Sequence, residues 1–136
     1  MTVIHAGIAA RVVAILNDHP RLHLWGNGNP GQLSRINVPA AREELLHETT
    51  LRDILAAAQW CARRLVPAKP NISDLSTYYW KHVYERHTDD GLYLPSGAFA
   101  VAAAIAGLPL DWAHYNPIVH AAFPGGFWRN AEVPGP

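Results

Sequence analysis

Tyr78-Tyr79-Trp80-Lys81-His82-Val83-Tyr84-Glu85-Arg86-His87 is followed, past Thr88-Asp89-Asp90-Gly91, by Tyr93-Leu94-Pro95-Ser96-Gly97-Ala98-Phe99 and an alanine-rich run to Ala106. Two different helices are written here. The first mixes aromatic, basic and acidic residues in every turn. The second carries no charge from Gly97 to Ala106 and is apolar all round. A helix with no polar face belongs inside a protein, so this one is expected at the centre of a helical bundle, its alanines letting neighbours approach closely. It offers no Arg, Lys, Asn or Gln to a base edge, which removes it as the reading helix of a helix-turn-helix. Gly107 stands where a helix C-terminus favours glycine, and Pro109 stops continuation. Ser96, after Pro95, is expected to cap the start.

Working outward, Ile4, Ile8, Val12, Ile15 and Leu16 fall on one face of a first helix from Val3 to Asn17. Asp18-His19-Pro20 ends it, because the residue before a proline is pushed out of the α region. Residues 19–38 read as a structured loop. Pro39 opens a second helix through His47. Thr50-x-x-Asp53 resembles a capping box for a third helix that runs to about Val66, with Leu51, Ile54, Leu55, Ala58, Cys61 and Leu65 as its apolar stripe. Ser73 or Asp74 is expected to cap the fourth helix, which runs to about His87. A short helix is expected over Ile118 to Phe123, and residues 124–136 read as an irregular tail rich in Pro and Gly. Strand signals are weak, at Leu22 to Trp25 and Gly91 to Leu94.

Composition narrows the function classes. The 136 residues are 49% hydrophobic and 16% charged, against a usual charged share of about 25%. Lys plus Arg and Asp plus Glu both number 11, so no global field draws nucleic acid or an anionic membrane. Cys61 is the lone cysteine, which excludes an intrachain disulfide and fits a reducing compartment; its apolar neighbours predict a buried, inert thiol. The N-terminus lacks the pattern of a signal peptide, and prolines and glycines break the most apolar stretch, Leu92 to Leu110, so no membrane span is expected.

The chemistry-bearing residues are scattered. Eight histidines show no H-E-x-x-H, and Glu44-x-x-His47 is a single pair where a di-iron bundle needs two such pairs and two further glutamates, so no metal and no cofactor are expected. Gly26, Gly28 and Gly31 have the spacing of a dinucleotide fingerprint, but Pro30 precedes the third glycine and no strand or long helix flanks the run; an ordinary loop is the reading. Ser96 has no nucleophile elbow around it. The fourth helix has two readings. Its aromatic residues fill the core and its charges face water, or Lys81, Arg86 and the histidines form a contact surface with Trp80 or Tyr84 stacking on a base or anchoring a protein. Lys81 and Glu85 are spaced to pair.

The fourth and fifth helices resemble a pattern of small uncharacterised proteins of bacteria, phages and other mobile elements, roughly S-x-Y-x-x-K-H-x-x-E, a variable turn, then Y-[VIL]-x-[NS]-G-x-[FL]-x-x-A-A-x-x-x-G. Ser76, Tyr78 or Tyr79, Lys81, His82, Glu85, Tyr93, Gly97, Phe99, Ala102, Ala103 and Gly107 carry the likeness. Ser96 stands where asparagine is commoner, and Trp80 where a small residue is usual. The resemblance implies a phage or mobile-element setting and names no reaction.

The sequence therefore predicts a mainly α fold: a compact, single-domain helical bundle of four to six helices with Gly- and Pro-rich loops, spanning residues 1–136. It predicts a non-enzymatic, cytoplasmic binding module that contacts a protein partner or nucleic acid, with self-association as a further expectation. The binding set is Trp80, Lys81, His82, Tyr84, Glu85, Arg86, His87, Tyr93 and Ser96, with no catalytic residue. The alternative is a small hydrolase-like enzyme using His82, Glu85 and Ser96. Lys81, His82 and Glu85 either form a site beside Tyr93 and Ser96 or a hydrogen-bonded clasp on the turn, and the clasp is favoured.

Overall fold

A computed structural model describes residues 3–28, 36–69, 75–87 and 93–124, with only the backbone of residues 3–6. Its elements follow in the order α1 (Val3–Asp18), α2 (Val38–Glu44), α3 (Glu48–Arg64), β1 (Val66–Pro67), β2 (Leu75–Ser76), α4 (Thr77–Arg86), α5 (Ser96–Ile105), β3 (Leu110–Asp111), β4 (Ile118–Val119) and β5 (Ala121–Ala122). The fold is mainly α, and small antiparallel sheets set it apart from a pure bundle. Among the described residues no helix is long and apolar enough to cross a membrane.

α5 is the centre. Every residue from Ser96 to Ala103 is buried, and α1, α3 and α4 all pack against it. Small side chains make this possible, since an alanine-sided helix keeps facing backbones close. Its C-terminus closes with Gly107 at φ +88°, the Gly107 N–H donating to Ala104 O (3.0 Å) and the Leu108 N–H to Ala103 O (3.1 Å). That pair of bonds satisfies the last carbonyls in the Schellman arrangement, so glycine and stop fall where the sequence puts them. The start differs from expectation. Pro95 is the cap residue, no side chain bonds the first turn, and Ser96 is already helical and buried.

A backbone contact fixes that start. The Gly97 N–H donates to Leu24 O at 3.0 Å, and a Cβ at Gly97 would lie 1.8 Å from His23 O. No side chain fits there, so glycine is what lets the 22–28 loop dock on α5. Gly26 repeats the device, because its Cβ would lie 2.7 Å from Tyr115 O.

Residues 118–122 form a ribbon, where a short helix was expected. β4 pairs with β2 (Leu75 with Val119, Ser76 with Ile118) and with β3 (Leu110 with Val119, Asp111 with Ile118), while β5 pairs with β1 (Val66 with Ala122, Pro67 with Ala121). A short apolar run cannot be assigned to helix or strand by periodicity, and three partner strands decide it here. Of the two weak strand signals, Leu22 makes an isolated bridge with Asn27, and Gly91 and Leu92 lie outside the described residues.

Helix ends show further corrections. α3 begins at Glu48 with His47 as cap residue, so Thr50 and Asp53 sit inside the helix and form no capping box. Ser76 caps α4, its Oγ accepting from the Tyr79 N–H at 3.4 Å; Ser73 and Asp74 lie outside the described residues. Two arginines cover carbonyls at or near helix ends. Arg42 donates to Leu16 O (2.8 Å), His19 O (2.9 Å) and Leu22 O (2.8 Å), and Arg11 donates to Ile105 O (2.9 Å).

Gly97→Ala is expected to cost more than about 3 kcal/mol, as overpacking against an immobile carbonyl does at its worst. Gly7→Ala, at an exposed position of α1 with nothing within 4 Å of the new Cβ, is expected to stabilise by about 0.5–1 kcal/mol. Urea unfolding of both variants checks the pair; equal effects would refute the docking role of Gly97.

Candidate interaction site on the fourth helix

β2 and the Pro117 carbonyl, which accepts from the Thr77 N–H at 2.8 Å, set the rotation of α4. Thr77, Trp80, Val83 and Tyr84 then face inward. Trp80 is 0% exposed and Tyr84 2%. Their rings join an aromatic cluster: Trp60–Tyr84 centroids are 5.2 Å apart, Trp80–Phe123 6.0 Å and Tyr84–Phe99 6.0 Å. Offset and edge-on contacts of this kind add to burial. Neither ring has a free face, so Trp80 and Tyr84 leave the expected binding set and belong to the core.

His87 also turns inward. Its ring lies 5.4 Å from Phe123 and 6.1 Å from Trp60, and both ring nitrogens are buried without a hydrogen-bond partner. Desolvation, then the charges of Arg64 and Arg86, hold its pKa below the usual histidine value. Ser96, 6% exposed at the first turn of α5, is likewise withdrawn from the set.

The remaining residues converge. Lys81 is only 5% exposed, and its Nζ lies 4.5 Å from the Tyr93 ring centroid and 5.4 Å from that of Tyr78. Its aliphatic stem runs along the packed surface while the ammonium meets two ring faces. Tyr93 stands just before α5, so this cation–ring contact joins α4 to the approach to α5. The contact is made through π faces and involves Lys81 alone of the Lys81, His82 and Glu85 set expected to form a hydrogen-bonded clasp. His82 is half-exposed, its Nδ1 2.9 Å from Glu85 Oε1, and its ring sits edge-on to Tyr78 at 4.8 Å. Tyr78, His82 and Arg86 follow each other at four-residue spacing on the exposed side.

The surface that results is tyrosine-rich: Tyr78 is 54% exposed, Tyr93 53% and Tyr79 37%. Tyr78, exposed and in contact with Lys81 and His82, was not in the expected set, although its position three before Lys81 and four before His82 carries the signal. Sequence reasoning also missed buried His23. Its Nε2–H donates to Gly28 O at 2.7 Å and its Nδ1 accepts from the Trp25 N–H at 3.2 Å, holding the 22–28 loop in shape. Gly26 and Gly28 are thus loop glycines, Gly28 at φ +97°, while Gly31 of the fingerprint spacing lies outside the described residues. Among the described residues no three His, Cys, Asp or Glu side chains gather as a metal site. Cys61 is buried, its thiol pushed up to about 12 by desolvation, and is unreactive.

The chain matches no family model, and no curated protein or solved structure matches it significantly.

A double-mutant cycle of Lys81→Met and Tyr93→Leu is expected to show a coupling of about 0.5–2 kcal/mol in chemical unfolding. Coupling indistinguishable from zero would remove the cation–ring link. His87 gives a pH signature. Its folded pKa is depressed, so its contribution is full above the unfolded value of about 6.5 and is lost as pH falls from there through the folded value. His87→Phe, seated among Phe123 and Trp60, is expected to flatten the fall of Tm across that window. His19, also shifted down by desolvation against an opposing effect of Asp18, keeps part of the slope.

Proposed function

We propose that the protein is a non-enzymatic binding module that engages a protein partner through Tyr78, Tyr79, His82, Arg86 and Tyr93. The setting implied by the resemblance is a phage or mobile element, and the compartment is the cytoplasm. The observation that carries the reading is the state of Lys81. The lysine at the middle of the helix is buried to 5% exposure between two tyrosine rings, so its charge organises the surface from beneath. A backbone-tracking nucleic-acid site needs cations free to replace counterions. What is left in solvent is tyrosine, histidine and one arginine, the residue types that anchor protein interfaces.

The His82–Glu85 contact at 2.9 Å is the one element of a hydrolase-like arrangement, with Glu85 orienting His82. Ser96 at 6% exposure is poorly presented for attack on a substrate, so this reading stands second.

Capture from native-host extract on immobilised protein tests the proposal. The expected result is a defined protein, bound in a salt-tolerant complex and weakened about tenfold or more by Tyr78→Ala or Tyr93→Ala. Recovery of nucleic acid, lost steeply with salt and dependent on Arg86, would overturn it.

A further inference from the structure

We propose a second site, independent of the α4 surface: the open pocket between the 22–28 loop and α2 binds an alkylammonium group. The pocket has a volume of about 420 Å³, within the usual range for small ligands of roughly 300–1,000 Å³. Leu24, Ile36 and Ala41 supply apolar wall, and Trp25, Asn37 and Glu44 complete the lining. Trp25 is 45% exposed, whereas Trp60 is 4% and Trp80 0%. An indole kept in solvent on a well-anchored loop forgoes the burial that the other two obtain.

The chemistry of the lining selects the ligand. Indole gives the strongest cation–π face of the side chains, and Glu44 is the one acidic residue of the lining, its Oε2 3.4 Å from His47 Nδ1. Asn37 Oδ1 already accepts from the Ala40 N–H at 3.1 Å, which leaves the carboxylate as the strong acceptor. An anion would face both a carboxylate and the negative face of a ring. A neutral hydrocarbon would gain from the wall and leave the carboxylate unused. A primary ammonium on an aliphatic stem uses all of them: stem against Leu24, Ile36 and Ala41, charge between Trp25 and Glu44.

The site is built in advance. The Leu24 N–H donates to Ala41 O at 3.2 Å, so loop and helix hold each other directly. The Trp25 N–H is held by His23 Nδ1 at 3.2 Å. Arg42, the neighbouring cation on α2, is committed to the Leu16, His19 and Leu22 carbonyls. His47 Nδ1 touches Glu44 Oε2 at only 3.4 Å, with both side chains about half exposed, and this weak contact is the one an ammonium displaces. The ligand source is either a free small amine or a lysine side chain of another protein; the recognised group is the same.

NMR titration of the Trp25 indole N–H, assigned by its loss in Trp25→Phe, tests the site with n-butylammonium chloride as probe. The expected result is a saturable shift with a dissociation constant on the order of millimolar. Glu44→Gln, a surface change expected to keep Tm, should weaken binding about tenfold, and n-pentanol should bind at least tenfold more weakly than the amine. Nα-acetyl-lysine methylamide binding more tightly than butylammonium points to a lysyl side chain; equal or weaker binding points to a free amine. No saturable shift, equal binding of n-pentanol, or an unchanged affinity in Glu44→Gln would overturn the proposal. None of these outcomes depends on Tyr78 or Tyr93, so failure here is separable from failure of the α4 reading.

Discussion

The absent side chain of Gly97 is the constraint on which the other placements rest. At the N-terminus of the central helix, two backbones meet with no Cβ between them, and the Gly97 N–H finds the Leu24 carbonyl at 3.0 Å. The same loop is gripped a second time, by the segment after β3. After the Schellman turn and β3 the chain passes through 112–115, where Tyr115 O accepts from the Asn27 N–H (2.8 Å), Trp112 O accepts from the Asn27 side-chain amide (2.6 Å), and Trp112 stacks on His19 at 3.9 Å. The start of the buried helix and the 112–115 segment that follows β3 therefore clamp one loop. The loop's shape is in turn set by His23, buried at 0% exposure and bonded at both ring nitrogens. This is why an irregular segment presents Trp25 in a fixed place without secondary structure of its own.

The ribbon at 118–122 solves a different problem. α3, α4 and α5 each need an orientation, and short helices get little from propensity alone. β1 leaves α3, β2 enters α4 and β3 leaves α5, and all three strands pair with the one ribbon. Further bonds continue the ladder, from the His120 N–H to Pro109 O and from the Ala68 N–H to His120 O, each 2.9 Å. A few backbone hydrogen bonds thus fix three helix ends against a common reference. They also set the rotation of α4, which decides that Trp80 enters the core and Tyr78 faces solvent.

That rotation marks how far the sequence could be read. The apolar periodicity of α1 and α3 and the all-apolar run of α5 each demand burial by themselves, so helix positions and the central place of α5 were legible. The Gly107 stop was legible because positive φ has few other solutions. The ribbon was not: Ile118 to Ala122 is apolar in either conformation, and its partners lie as far away as Val66. The face of α4 was not legible either. Tyr78, Tyr79, Trp80 and Tyr84 are all aromatic, and periodicity cannot rank which rings go inside when every side has one. The larger ring of Trp80 filled the space beside Phe123, and the residue chosen from sequence as a stacking platform became core. Ser96 failed as a cap for a local reason, since the chain arrives extended at Pro95 and is already helical one residue later.

The use of the cations bears on the kind of partner. The chain has as many acidic as basic residues, 11 of each, so a nucleic-acid surface would have to concentrate its positive charge locally. The best-placed cations are spent internally. Arg42 covers three carbonyls around the end of α1, Arg11 covers a carbonyl at the end of α5, and Lys81 lies between Tyr78 and Tyr93. Arg63 and Arg64 sit in the last turn of α3, where they complement its dipole. The cations bonded to carbonyls or seated on rings are removed from any phosphate-binding stripe, whereas Arg63 and Arg64 stay exposed. The surface left on α4 is then distinguished by ring area, with Tyr78 and Tyr93 pinned from below by one ammonium. On the proposed reading, whatever freedom the ammonium contact takes from these half-exposed rings is freedom not lost again when a protein surface meets them.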